Sequence, residues 1–125
     1  MIRLIESYII KILNSGFVID RRQIPKKQGV YLIYQKEKII YVGESNNLYK
    51  RINSKHISGA NTTKTSAFRQ SLCKRLNRQP GLKLKKWILK NCRFKYVETE
   101  DSDLCHLVEK ALIYKLRKDY NLLNK

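Results

Sequence analysis

Hydrophobic residues follow helical spacing in some segments of the chain and strand spacing in others, which predicts an α+β fold. Residues 2–14 place isoleucine and leucine at helical spacing, and Gly16 follows as a stop signal. Residues 28–34 and 39–42 are rich in β-branched residues and tyrosine, as strands are. The short polar segment between these two strands predicts a turn, so that they form a hairpin.

The rest of the chain predicts further helices and a third strand. In order, these are a short helix ending at Ile52, a basic helix over residues 66–78, a helix over 82–90, a strand over 94–97 and a helix over 104–118. Asn46 or Asn47, Ser66 and Asp103 are the predicted N-caps of three of these helices. We therefore expect one domain over residues 1–125, with a small, three-stranded, mainly antiparallel sheet flanked by helices. Within it, residues 1–23 form an N-terminal helical extension and residues 59–90 form a basic insert of loop and helix.

The charge balance predicts a polyanionic partner. The chain has 27 lysine and arginine residues against 10 aspartate and glutamate residues, which gives a formal net charge of +17 in 125 residues. A positive field of this size is typical of proteins that bind DNA, RNA or an anionic membrane surface, and also of ribosomal and architectural proteins. No run of about 18 apolar residues is present, so we expect no membrane-spanning segment.

The cysteines favour a reducing compartment. Cys73, Cys92 and Cys105 are far apart and odd in number. This pattern predicts free thiols in the cytoplasm, and neither a disulfide framework nor a structural zinc site. We also expect no small-molecule cofactor.

The last predicted helix carries a carboxylate on its apolar side. On a helical wheel, Glu109 falls within the apolar arc, between Ile113 and Leu116. Burying a carboxylate costs free energy unless a cation, an arginine or a metal ion accompanies it. Glu109 is therefore expected either to form a buried salt bridge with Arg51 or to bind a metal ion.

Tyrosines and basic residues cluster around the predicted hairpin. Tyr31 and Tyr41 lie on its strands, and Arg51 and His56 follow it. Each is ordinary by itself, since tyrosine packs well on strands. Together with Glu109 they match the needs of phosphodiester hydrolysis: a divalent cation, an arginine beside the phosphate and a group that deprotonates water. Tyrosine can deprotonate water only if positive charge lowers its pKa, and we expect the net charge of the chain to do so.

The order of these residues resembles the signature of the GIY-YIG nuclease family. That signature has two short strand motifs, which here read Gly29-Val30-Tyr31 and Tyr41-Val42-Gly43. An arginine and often a histidine follow, then a glutamate on a later helix and a final asparagine. The matching residues are Arg51, His56, Glu109 and Asn121, and the resemblance covers residues 24–121.

The resemblance implies a three-stranded antiparallel fold that hydrolyses DNA with one divalent ion, Mg²⁺ or Mn²⁺. It implies that Tyr31 is the general base or aligns the attacking water. Tyr41 and Arg51 are implied to orient the phosphate and stabilise its charge. His56 is implied to assist proton transfer, and Glu109 to bind the metal ion.

Asn121 is implied to be a buried residue that ties the site together. Two positions depart from the pattern of the family. Glu44 follows the second motif where some relatives carry a small or basic residue, and it is either a second acid near the metal or, as we expect, simply exposed. His56 stands one residue further from Arg51 than is common in relatives, and Lys55 takes the usual place.

Basic residues beyond the second motif are predicted to hold the DNA, which we expect to be duplex or branched. They are Lys55, Arg69, Lys74, Arg75, Arg78, Lys85 and Lys86. Phe68 and Trp87 lie among them, and each either stacks on a base or, as we expect, anchors a helix in the core. Residues 59–65 are predicted to be a loop that reaches into a groove of the DNA or merely connects two helices.

The sequence therefore predicts an intracellular, DNA-associated endonuclease of the repair or restriction type. It does not indicate whether the protein is a monomer or a dimer. The alternative is a non-catalytic nucleic-acid-binding domain that keeps the fold. A chaperone-like or ribosome-associated basic protein is a third interpretation, supported by charge alone. The enzyme is favoured because binding by itself does not need a carboxylate in a phosphate site.

Overall fold

The computed structural model describes residues 2–57 and 66–124, and its helices and strands occur in the predicted order. The elements are helix α1 (Ile2–Asn14), strands β1 (Gly29–Gln35) and β2 (Lys38–Ser45), a π-helix (Lys50–Ile57), helices α2 (Ala67–Leu76) and α3 (Leu82–Asn91), strand β3 (Cys92–Glu98) and helix α4 (Ser102–Leu116). The predicted loop over residues 59–65 lies outside the described residues.

The three strands form an antiparallel sheet in the order β2-β1-β3, which confirms the predicted fold class. Strand β1 is central and buried on both faces, so its alternate residues enter two different cores. Val30 and Leu32 pack with α1 and α4. Tyr31 and Ile33 pack on the opposite face with the π-helix, α2 and α3. Strand β2 is an edge of the sheet.

The first motif glycine is required by the packing of β1. A Cβ atom built on Gly29 would overlap the carbonyl oxygen of Val97 on β3, and it would lie 2.8 Å from the Leu48 side chain. A larger residue would therefore separate β1 from β3 or displace the start of the π-helix.

The helix that follows the hairpin is longer than predicted. Asn47 caps it, because its Oδ1 atom accepts a hydrogen bond from the backbone N–H of Lys50 at 3.0 Å. The helix continues past Ile52 with π-helical geometry to Ile57, and His56 and Ile57 are both buried. Helices with i→i+5 hydrogen bonds are rare and occur frequently at functional sites.

The predicted cap of the last helix is wrong by two residues. Asp101, and not Asp103, caps α4, since its Oδ1 atom accepts a hydrogen bond from the backbone N–H of Leu104 at 2.8 Å. A capping side chain must precede its N–H donor by two or three residues, and Asp103 already lies within the first turn.

Three further expectations concern the chain as a whole. The cysteines are free, as predicted. In the part of the chain that the structure describes, no helix has the length and apolar character needed to span a membrane. The division into an extension and an insert stays a prediction, and α1 contributes Ile9 and Ile12 to the core that it shares with α4.

Candidate active site

Two tyrosines project from neighbouring strands onto the face of the sheet that the π-helix covers. Tyr31 lies opposite Gly43 in the register of β1 and β2, and Tyr41 precedes Gly43 by two residues on the same face. The ring centroids of the two tyrosines are 6.3 Å apart. A Cβ atom built on Gly43 would overlap the end of the Tyr31 ring, so glycine makes room here for the Tyr31 hydroxyl.

His56 joins this pair from the π-helix. Its Nε2 atom lies 2.5 Å from the hydroxyl oxygen of Tyr31, and its Nδ1 atom lies 2.7 Å from the hydroxyl oxygen of Ser66. The Phe68 ring packs edge-on against the imidazole at a centroid distance of 5.3 Å. Phe68 is fully buried and Trp87 packs partly buried against the same core, so both aromatic residues are core anchors as expected.

Burial determines the protonation of both hydrogen-bonded groups. Burial, together with the positive charges of Arg51 and Arg69, lowers the pKa of His56 to about 3. Burial also raises the pKa of Tyr31, as does the neighbouring Tyr41, and the charge of Arg51 opposes this shift only in part. The expectation that positive charge lowers the tyrosine pKa is therefore wrong, because loss of solvation outweighs the field. Both side chains are uncharged at neutral pH.

Arg51 lies one π-helical turn before His56 and is partly exposed. Within residues 2–57 and 66–124, it forms no salt bridge with Glu109, so that alternative from the sequence is not observed. Glu109 instead lies 3.8 Å from the ammonium group of Lys110. In the described part of the chain, the Arg51 guanidinium has no carboxylate partner, and its charge acts on both tyrosines.

Glu109 and Glu44 meet at the β2 edge of the sheet. The side chain of Glu109 is 15% exposed and that of Glu44 is 32% exposed. One oxygen of each carboxylate and one ring nitrogen of His106 all lie within 4.8 Å of one another. The expectation that Glu44 is simply exposed is wrong, because β2 directs its side chain toward α4 and the second acid.

This donor set fits a divalent cation. Burial raises the pKa of Glu109, and the adjacent charge of Glu44 adds to the shift. Two carboxylates that share a partly buried site repel each other, and a cation between them relieves that repulsion. Carboxylate oxygens suit Mg²⁺ and Mn²⁺, while imidazole suits transition metals.

Tyr41 lies near enough to Glu109 and Arg51 for both charges to act on it. Burial and the charge of Glu109 raise the pKa of Tyr41, whereas the charge of Arg51 lowers it. Its hydroxyl is therefore within electrostatic reach of both charges. The structure thus brings together five residues selected from the sequence, namely Tyr31, Tyr41, Arg51, His56 and Glu109.

Asn121 is not part of this group. It is exposed, and its backbone oxygen accepts a hydrogen bond from Arg75 at 2.8 Å. Asn124 instead links the C-terminal segment to β2. Its side-chain oxygen accepts a hydrogen bond from the Val42 N–H at 2.8 Å, and its side-chain NH₂ group donates one to the Val42 carbonyl oxygen at 2.7 Å. The prediction of a buried Asn121 is therefore wrong. The sequence pattern selected Asn121 alone, and the path of the chain after α4 brings Asn124 to β2 instead.

The prediction that Arg69 binds DNA is also wrong. Its side chain is buried, and its guanidinium donates hydrogen bonds to the carbonyl oxygens of His56 and Ile57, each at 3.0 Å. It lies on the core side of α2, three residues before the buried Leu72. Arg69 therefore anchors the end of the π-helix and is not exposed to bind DNA.

The other predicted DNA-binding residues are at least partly exposed. They are Lys55, Lys74, Arg75, Arg78, Lys85 and Lys86. Lys74 and Arg75 of α2 line a surface groove together with Tyr41 and Asn124. This groove places positive charge next to Tyr41.

Comparisons with known proteins identify the family and a similar fold. A family model described as the GIY-YIG catalytic domain matches residues 7–125. The fold is similar to that of the GIY-YIG N-terminal endonuclease domain of UvrC from Thermotoga maritima bound to magnesium, with a TM-score of 0.51, 18% identity and coverage of 96% of this chain and 98% of that one. A tyrosine-to-phenylalanine point mutant of the same domain, bound to its catalytic divalent cation, has a TM-score of 0.51 and 20% identity over 96% of this chain and 98% of that one. Comparison with curated protein sequences gives no significant match.

Proposed function

The chain belongs to the family of GIY-YIG catalytic domains, and from that premise we propose that it is a divalent-metal-dependent endonuclease that hydrolyses phosphodiester bonds of DNA. The main support is the meeting of a tyrosine pair, a partly exposed arginine and two partly buried carboxylates at the β2 edge. In a protein that only bound nucleic acid, these carboxylates would repel the phosphates. An enzyme is therefore favoured over a non-catalytic binding domain.

Glu109 and Glu44 are the proposed metal ligands, with His106 as a third donor. The ion, when bound, neutralises charge on the phosphate and on the leaving oxygen. Glu109 is the less exposed of the two carboxylates, so its desolvated charge has the greater need of a cation.

Arg51 and Tyr41 are proposed to bind the scissile phosphate. A guanidinium presents paired N–H donors that match two phosphate oxygens. The hydroxyl of Tyr41 adds a neutral donor in the vicinity of Arg51 and Glu109. The groove lined by Lys74 and Arg75 supplies further positive charge for the flanking phosphates.

Tyr31 is proposed to align the attacking water. Its raised pKa means that the hydroxyl acts as a neutral group at pH 7. Tyr31 takes a proton from the water only as its own proton passes to Nε2 of His56. One O–H bond of the water breaks as a new O–H bond forms on Tyr31, and the original Tyr31 O–H bond breaks as N–H forms on His56. The low pKa of His56 keeps Nε2 unprotonated at neutral pH, so this nitrogen can accept a hydrogen bond from the Tyr31 hydroxyl. Because a group with a pKa of about 3 is a weak base, Nε2 holds the transferred proton only transiently.

Cleavage assays on defined substrates test the proposal. Supercoiled, linear, branched and single-stranded DNA, and an RNA of matching sequence, are incubated with Mg²⁺, with Mn²⁺ and with a chelator. We expect DNA to be cut with either metal and to remain intact with the chelator. Binding without cleavage under every condition would favour the non-catalytic alternative, and the set of substrates cut would indicate a repair or restriction role.

A second experiment tests the ligand set directly. Titration calorimetry with Mn²⁺ compares the wild type with Glu109→Gln, Glu44→Gln and His106→Gln. Loss of binding in Glu109→Gln and weaker binding in the other two variants is expected. Unchanged Mn²⁺ affinity in Glu44→Gln would exclude Glu44 from the ligand set.

A further inference from the structure

Ser66 connects the active-site histidine to the beginning of α2. Its hydroxyl oxygen lies 2.7 Å from Nδ1 of His56 and accepts a hydrogen bond from the backbone N–H of Arg69 at 3.1 Å. Ser66 is thereby the N-cap of α2. Ser66 and His56 are only 2% and 1% exposed, so the imidazole meets this hydroxyl away from bulk water.

Two hydrogen-bond arrangements fit the positions of these groups, because a neutral imidazole carries one proton. In the first, Nδ1–H of His56 donates to Ser66, and Nε2 accepts the proton of the Tyr31 hydroxyl. In the second, Ser66 donates to Nδ1, and Nε2–H donates to the oxygen of Tyr31.

The two arrangements give Tyr31 opposite properties. In the first, the Tyr31 proton points at His56, and the oxygen presents lone pairs to a water molecule. In the second, the proton of Tyr31 points away from His56, and the imidazole offers no lone pair to receive it. Only the first arrangement allows Tyr31 to take a proton from water while passing on its own.

We infer that Ser66 is a positioning residue that holds His56 in the Nδ1–H tautomer and so directs the Tyr31 proton to Nε2. The chemistry of the donors and acceptors supports this choice. Phenol is a stronger acid than an imidazole N–H, and an imidazole nitrogen is a stronger base than a phenol oxygen, so O–H to N is the better matched bond. The backbone N–H of Arg69 fixes the position of the Ser66 oxygen that receives Nδ1–H. The functional part of the inference rests on the proposed role of Tyr31.

Nuclear magnetic resonance of the ¹⁵N-labelled imidazole rings reads the tautomer in the free protein. The chain has two histidines, and a His106→Gln variant assigns their signals. We expect the proton of His56 on Nδ1 in the wild type and in Ser66→Thr, which keeps the hydroxyl. A proton on Nε2 in the wild type would overturn the inference, whether or not the protein cuts DNA.

Substitutions of Ser66 separate the tautomer effect from the loss of a helix cap. Glycine is nearly as good an N-cap as serine and alanine is a poor one, but neither has a hydroxyl. We expect both Ser66→Gly and Ser66→Ala to populate the Nε2–H tautomer and to cut DNA about 10-fold to 100-fold more slowly, as when a partner that orients a histidine is removed. Ser66→Thr should retain most of the rate.

The opposite result identifies a purely structural role. If Ser66→Gly keeps the wild-type rate and tautomer while Ser66→Ala is slow and less stable, Ser66 acts only as a cap and the inference is overturned. An inactive wild type would contradict the proposed function instead, and the ring ¹⁵N signals would still decide the tautomer.

Discussion

The hydroxyl oxygen of Tyr31 lies 2.5 Å from Nε2 of His56, so a residue of the central strand and a residue of the π-helix form one buried polar pair. Burial raises the pKa of Tyr31 and lowers that of His56 to about 3. Near neutral pH the pair is therefore a hydrogen bond between two uncharged groups. Such a bond can pass a proton in one direction, provided that the imidazole nitrogen is unprotonated.

Removing the hydroxyl of Tyr31 should reduce the rate of cleavage far more than the affinity for DNA. Tyr31→Phe keeps the ring that packs over Gly43, and a group that positions or deprotonates water typically contributes about 10²-fold to 10⁴-fold in rate. Single-turnover cleavage and gel-shift titration measure the two effects separately. The matched control is Tyr34→Phe, since Tyr34 is buried in the core on the other face of the sheet. Equal rates for the wild type and Tyr31→Phe would make Tyr31 a packing residue.

Arg51→Lys should be damaging although it keeps the charge. A guanidinium binds two phosphate oxygens in a planar geometry that an ammonium group cannot reproduce. We expect a fall in single-turnover rate of at least about 10-fold, corresponding to about 1.4 kcal/mol of transition-state stabilisation. Arg78→Lys on the exposed surface should retain activity. Full activity of Arg51→Lys would show that Arg51 contributes only its charge.

The stability of the protein should fall as the pH drops below about 6.5, the usual pKa of histidine. The unfolded chain binds a proton at His56 in this range, whereas the native chain does so only near pH 3. The stabilisation is thus fully present above the unfolded pKa, and it is lost at about 1.4 kcal/mol per pH unit as the pH falls toward the native pKa.

Urea unfolding at pH 7, 6 and 5 measures this dependence. His56→Gln should lose most of the slope between pH 6 and 5, while His106→Gln, which alters an exposed histidine, should keep it. The absolute stability of His56→Gln is irrelevant to the comparison. Parallel pH curves for His56→Gln and the wild type would mean that His56 is charged in the native protein.

Neutralising the groove should flatten the salt dependence of DNA binding. Lys74 and Arg75 are exposed and line the groove beside Tyr41. If both contact phosphates, the Lys74→Ala, Arg75→Ala double variant should lower the log–log salt slope by about 0.9 for each contact. The control variant Arg3→Ala, Lys11→Ala removes the same charge from α1, which packs on the other face of the sheet. Equal slopes for the two double variants would place the DNA elsewhere.

The sequence predicts those parts of the site that follow from local periodicity. Tyr31 and Tyr41 lie on the strands predicted for them, but periodicity alone does not place Gly43 opposite Tyr31. A β-bulge at Ile40 shifts the register of β1 and β2 by one residue and brings both tyrosines onto one face. Glu109 was expected on the apolar side of its helix, and its side chain is mostly buried there. The strands and the position of Glu109 need only the strand and helix periods.

The remaining features depend on tertiary packing, which local periodicity does not determine. Arg69 is one basic residue among 27, and only its packing beneath the π-helix distinguishes it. Asn124, and not the predicted Asn121, contacts β2 because of the way in which the segment after α4 returns to the sheet. Glu44 joins Glu109 because an edge strand and a helix meet there. The pKa of Tyr31 follows from its burial, and net charge alone predicts the wrong direction.

Cleavage by Glu109→Gln tests the central claim most directly. The substitution keeps the shape of the side chain and removes the charge proposed to hold the metal ion. Nicking of supercoiled plasmid in Mg²⁺ is compared for the wild type and the variant, with a gel shift in chelator to verify that both bind DNA. The account predicts that the wild type nicks the plasmid and that the variant binds equally well but cuts at least about 10²-fold more slowly, as expected when a metal ligand is removed. Equal nicking by the two proteins would contradict it.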